Sequence, residues 1–414
     1  MSDPRARTPL ERWLDAHAIR LDASTFAERE GDAARLAALD RTFDGARCVF
    51  IGEANHFVHE KSDYRAWWLR RLAARHRLVV GEELGCIDGR RVARYLADGD
   101  EAHLDALATF GDERHRRADR DDRPTGVLRA SFDAYPARLF KAEQARFYRV
   151  LREIGVTRFH GIDIDAPGNG YAELAALRDV AAIDPAFWSA VARVDGESLD
   201  AEAARLERAL DRLPAHGADE PREIVSSMAE NLRYTALAHP AATYEALRPA
   251  MALRELIMQR RVERILATLD DGEVLVLLGH AFHLAKDDRR IGRAGVGPGG
   301  DRVASLGHHL VQTRGVSARA VWMLYGGGAD SQPFPDLPTH VDYPKDSLNA
   351  VLAAYTASRG GSDAPLVVPI EPGGAVFADP VGIGHLYNLV VPVHLPSEID
   401  ALFFVPNVSP LRPT

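Results

Sequence analysis

The chain reads as an α/β protein with a mainly parallel sheet flanked by helices and a helical insertion or lid above it. Two observations predict this. Short, near-continuous apolar runs recur at Cys48–Ile51, Leu78–Val80, Arg158–Ile162, Val274–Leu278 and Ala320–Leu324. Such runs suit strands buried on both faces of a parallel sheet. Between the first two, Tyr64, Trp67, Trp68 and Leu72 repeat at three- and four-residue spacing, as on a helix packed against a sheet. A strand, helix, strand unit of this kind favours a doubly wound architecture.

Each remaining stretch follows from its composition. Residues 98–125 carry many charges, including Asp112, Glu113, Arg114 and Arg116, and read as a solvated loop or lid. Residues 185–265 are alanine-rich, with Leu199, Leu206, Leu210 and Leu213 on one helical face. The segments 98–145 and 185–265 are therefore expected to be helical insertions within one catalytic domain spanning 1–414. Residues 292–300 form a glycine-rich loop with no strand immediately before it, so a loop is expected rather than a phosphate cradle. The last ~90 residues offer only strand-like runs such as Val390-Val391.

Composition narrows the function classes. Hydrophobic residues make up 46% and charged residues 27% of 414, enough for a large core without disulfides or metals. A net charge of -9 repels phosphate backbones and anionic lipid, so neither nucleic acid nor membrane is an expected partner. Only Cys48 and Cys86 are present, which points to a reducing compartment. With no apolar leader in the first residues and no run of ~20 apolar residues, a cytoplasmic location is expected. The sequence assigns no oligomeric state.

The strand ends carry the chemistry. The first run ends in Gly52-Glu53-Ala54-Asn55-His56 and the second in Gly81-Glu82-Glu83. The third ends in Asp163-Ile164-Asp165 and the fourth in Gly279-His280-Ala281-Phe282-His283. Ligands of open α/β sheets bind beyond the carboxyl ends of the strands. Four runs thus deliver carboxylates or imidazoles to one edge. Asp163 and Asp165 read equally as helix-capping carboxylates. Strand alternation sends Glu82 and Glu83 to opposite sides, so one of them reaches the site. No Gly-x-Ser-x-Gly elbow, no cysteine beside a base and no dinucleotide fingerprint occurs. Histidine with carboxylates remains. Either His56 acts as general base on water, or the set holds a metal. The spacings His56/Glu60 and His280/His283 are compatible with a metal but are not a metal signature.

These residues resemble the erythromycin esterases. Gly52 to Glu60 is similar to that family's Gly-Glu-x-x-His segment with a glutamate four residues later, and Arg65 sits where the family has a functional arginine. Glu83 to Gly89 resembles its second acidic strand end and selects Glu83 over Glu82. Gly161 to Asp165 resembles its Gly-x-Asp strand, Arg254 to Met258 its basic helix, and Val276 to Lys286 its paired-histidine strand end. Leu306 to Leu310 matches a later glycine-leucine turn. The set keeps the family's order from about residue 45 to 325. One departure is Ala281 where asparagine is common, followed by Phe282, which removes a polar group from the cleft.

The resemblance implies an esterase with neither metal nor other cofactor, acting on a small ester or macrolactone. His56 would deprotonate water, Glu53 and Glu83 would orient it, and Arg65 or the pair His280 and His283 would support the oxyanion. Asn55, Glu60, Asp163, Asp165, Arg254 and Phe282 would surround the substrate. The two rival readings are a metal-dependent hydrolase on the same constellation and a small-molecule binding protein without turnover.

Overall fold

The computed structural model describes residues 8–23, 25–28, 31–108, 124–166, 168–178, 183–290, 303–333, 339–359, 363–371, 375–385 and 389–413. The glycine-rich run 292–300, and 109–123 of the charged stretch, lie outside the described residues. The strands are β1 (Ile19–Arg20), β2 (Cys48–Glu53), β3 (Arg77–Gly85), β4 (Arg158–Asp163), β5 (Glu273–His280), β6 (Ala318–Ala329), β7 (His340–Asp342), β8 (Leu366–Pro369), β9 (Val381–His385), β10 (Leu389–Val393) and β11 (Ala401–Val408). The main sheet runs β1-β8-β11-β6-β2-β5-β3-β4, with β7 paired to β6. From β11 to β4 every pairing is parallel, while β1, β7 and β8 are antiparallel additions. All five predicted runs are parallel strands of this sheet.

Burial explains their composition. Every residue of β2 is buried, and Phe50, Leu277 and Val321 are completely inaccessible. Each such side chain contributes ~1.5–3 kcal/mol by leaving water. The helix Glu60–Ala73 covers the sheet as its spacing predicts: Tyr64 and Trp68 are buried, and the Tyr64 hydroxyl lies 3.1 Å from both the Gly52 and Val321 carbonyl oxygens. The sixth parallel strand is a finding beyond the sequence reading. The run Ala401-Leu402-Phe403-Phe404-Val405 inserts between β6 and β8. Val390 and Val391 belong to β10, which among the described residues pairs with β9 in a separate two-stranded sheet.

Helices occupy the long stretches between strands. Tyr171–Leu177, Pro185–Val191, Leu199–Leu210 and Asp219–Ala238 pack around their own apolar cluster, centred on Phe187, Leu206 and Ile224. Leu206 and Leu213 are buried there, with Leu199 and Leu210 partly so, which is the face read from the periodicity. Among the described residues no helix is long and apolar enough to cross a membrane. Cys48 and Cys86 are buried and unpaired.

The helix Cys86–Asp98 lies against β4 so closely that a Cβ on Gly89 would sit 2.0 Å from Gly161 N and 2.6 Å from its Cα. Backbone cannot yield as a side-chain tip does. Gly89→Ala is therefore expected to lower stability by ~1–3 kcal/mol, read as the shift in midpoint of urea unfolding. An unchanged midpoint would show that the helix can slide.

Candidate active site

Strand register assembles the site. β2 lies beside β5 with Glu53 directly opposite His280, and β3 and β4 follow on the far side of β5. Because β5 separates the sequence neighbours β2 and β3, the crevice falls at a topological switch point. The β3–β4 register shifts between Glu82 and Gly85, and such an irregularity re-aims side chains. Glu82 and Glu83 then face different surroundings. Glu82 accepts from Arg65 Nη1 at 2.7 Å, whereas Glu83 meets His56, His283 and Arg254. Its Oε2 also accepts from the His280 backbone N–H at 2.6 Å. Gly279 makes room for it, since a Cβ there would stand 3.0 Å from the Glu83 Oε2.

His56 sits between two carboxylates. Its Nδ1 lies 3.0 Å from Glu53 Oε1, and its Nε2 lies 3.8 Å from Glu83 Oε1. The His56 and His280 ring centroids are 5.3 Å apart. Burial would push the Glu53 carboxyl up, but the Arg65 guanidinium and the His56 hydrogen bond hold it below its ordinary value. Glu83 is likewise opposed by burial, and His283, His56 and Arg254 hold it well below the usual carboxylate range. Arg254 also grips Asp163, with Nε 2.8 Å from Oδ1. His283 Nδ1 is hydrogen-bonded to Glu255 Oε1. Burial disfavours the His283 cation, yet Glu255 and Glu83 outweigh it and raise its pKa.

A cavity of about 520 Å³ opens onto this cluster. His56, Glu83, His280, His283, Asp163 and Arg254 all reach it. Asp165 also borders it, but its carboxylate is committed to the Ile87 N–H and Ser227 hydroxyl. His280 makes a local contact. Its Nδ1 accepts from the Phe282 N–H at 3.3 Å, which leaves the proton of the neutral ring on Nε2.

Four expected residues are placed elsewhere. Arg65 does not line the cavity: its guanidinium lies beneath, 3% exposed, donating to Glu53 at 2.6 Å and to Glu82 at 2.7 Å. Asn55 points away from the cavity, its Nδ2 2.6 Å from Asp330 Oδ2 and its Oδ1 accepting from the Phe57 N–H. Glu60 heads its helix and accepts from Ser409 N and Oγ, tying down the C-terminal segment. Phe282 packs against the main core, its ring edge-on to His280. In each case a nearer partner in the fold takes the side chain. Among the described residues no three His, Cys, Asp or Glu side chains are grouped to hold a metal ion.

Other lining residues were not singled out by sequence. Phe57, Tyr135 and Phe140 form one wall, with centroid separations of 5.7–5.8 Å. Tyr234, His239 and Met251 come from the helical segment 185–265. Glu255, which reaches the site through His283 and does not line the cavity, lies within the Arg254–Met258 stretch but was not itself singled out.

A mainly parallel α/β sheet with a histidine–carboxylate cavity at its carboxyl edge is the class defined by fold and site. No protein-family model and no curated relative matches the chain. Solved structures do. A Bacillus cereus protein superimposes with a TM-score of 0.67 at 14% identity, covering 98% of both chains. A mutant of the erythromycin esterase EreC in its open conformation gives 0.58 at 19% identity, covering 95% of this chain and 97% of that one. A succinoglycan biosynthesis protein gives 0.66 at 12% identity over the whole of both chains. The likeness to all three is one of fold.

Proposed function

We propose that the chain is a hydrolase that cleaves an ester or lactone bond with water activated by His56. The observation that carries this is the Glu53–His56 pair at 3.0 Å, with the opposite ring nitrogen turned towards Glu83 in the cavity. Fold likeness to an erythromycin esterase agrees with it. Glu53, held ionised, fixes the Nδ1–H tautomer and leaves the Nε2 lone pair as the base. At 3.8 Å, Nε2 and Glu83 are too far apart to bond directly, so both can hold one water oxygen between them. The water oxygen attacks the carbonyl carbon while its proton passes to Nε2. The carbonyl π pair moves to oxygen, and the Nε2–H of His280 with the His283 cation stabilises it. As the C–O bond breaks, the imidazolium returns its proton to the departing alkoxide. The described parts of 98–145 and the segment 185–265, which line the cavity through residues such as Tyr135, Phe140 and Tyr234, act as the cover over this chemistry.

The test is mass spectrometry of a 14-membered macrolide and a panel of simpler lactones and esters after incubation with the protein. A gain of one water on any of them supports the reading. No gain across the panel overturns it.

Glu255 supports the second histidine as Glu53 supports the first. A raised His283 pKa means that its interaction with Glu255 stabilises the fold fully below the ordinary histidine pKa. That stabilisation fades as pH rises through the raised value. Glu255→Gln is expected to move the alkaline limb of kcat/KM to lower pH, because the cation is lost earlier. A profile unmoved by the substitution would show that His283 acts as a neutral group.

A further inference from the structure

The charged groups of the cavity are matched among themselves. Arg254 pairs with Glu83 and Asp163, His283 with Glu255, and His56 with Glu53. The neutral polar groups are not. Gln144, Asn231, Thr235 and Ser131 line the same cavity and are 8%, 4%, 1% and 6% exposed. Among the described residues their side chains make no hydrogen bond to protein, and Gln144 Oε1 is sealed from solvent without a partner. Buried amides and hydroxyls are nearly always hydrogen-bonded, so each exception requires a reason. Gln144 Oε1 is such an exception, and Asn231, Thr235 and Ser131 line the same cavity with it, which points to one reason.

Their placement suggests it. Asn231 and Thr235 are one turn apart on the helix Asp219–Ala238 and so share a face. Gln144 follows Phe140 by one turn on the helix Ala137–Ile154. Phe140 belongs to the wall made with Phe57 and Tyr135. Apolar rings therefore stand beside amides and hydroxyls that both donate and accept. An uncharged ring with C–H faces and a hydroxyl rim offers the complement to both.

We propose that this wall is a subsite for an uncharged polyhydroxylated group, a sugar or sugar-like ring, on the molecule that enters the cavity. That this group belongs to an ester cleaved at His56 rests on the hydrolase reading, whereas the subsite itself does not. Gln144 and Asn231 are its specificity-determining residues.

The experiment uses two esters of matched shape, 6-O-octanoylglucose and cyclohexylmethyl octanoate. Hydrolysis of both is followed with the whole protein, and binding of both by calorimetry with His56→Asn protein. A site built around hydroxyl groups rejects an analogue lacking them, so kcat/KM is expected to favour the glucose ester by at least about 100-fold. Gln144→Leu or Asn231→Leu should each cut that ratio by about tenfold or more. Thr235→Val, which keeps the shape and removes the hydroxyl, serves if a leucine variant does not fold. Equal cleavage of the two esters overturns the subsite and keeps the hydrolase. Binding of the glucose ester alone, with neither cleaved, supports the subsite and overturns the hydrolase reading. Binding of neither overturns the subsite.

Discussion

His56→Asn protein is expected to fold as the parent does and to lose ester hydrolysis by ~10³-fold. General-base catalysis contributes ~10²–10⁴, and an amide has no lone pair basic enough to replace imidazole. The fold is spared because the His56 side chain is 28% exposed and its hydrogen bond among the described residues is to Glu53. Glu53 keeps the stronger support of Arg65. Turnover and thermal midpoint measured on the same preparation separate the two effects. A variant retaining more than a few per cent of activity would remove His56 from the mechanism, wherever the substrate binds.

Arg65→Leu should act in the opposite way, through stability first. The guanidinium is 3% exposed and holds Glu53 and Glu82, themselves 0% and 4% exposed. Removing one member of a buried ion cluster leaves uncompensated charge and costs ~3–5 kcal/mol. The loss should depend on pH. Glu53 is held below its ordinary pKa, so its ionised state contributes stability above the ordinary carboxylate value, lost as pH falls through the folded one. Without Arg65 that lowered pKa rises, so the variant should be furthest below the parent near neutrality and closer to it near pH 5. Urea unfolding at both pH values checks this. If Arg65→Leu unfolded like the parent but turned over poorly, Arg65 would be reaching substrate after all.

Much of the architecture was legible in the residues because parallel strands buried on both faces must be apolar along their whole length. The runs at β2, β3, β4, β5 and β6 announced themselves this way. Polar residues immediately after such runs were equally visible, since nothing in a buried strand explains Glu53, Glu83 or His280. The strand β11 went unread although its Ala401–Val405 run has the same character, for it stands in a segment where no strand–helix alternation flags it.

What the sequence alone determined, then, is which side chains arrive at the carboxyl edge of the sheet: backbone periodicity and burial are local properties. Tertiary structure alone decided which of them face the cavity. Strand order put β5 between β2 and β3, and that brought Glu83 to His56 and His283. Arg65, Asn55 and Glu60 were drawn to partners 17, 275 and 349 residues away. The polar wall of Gln144, Asn231 and Thr235 likewise comes from two helices distant in the chain. An ion pair or a cavity wall depends on distances through space, and no spacing along the chain encodes those.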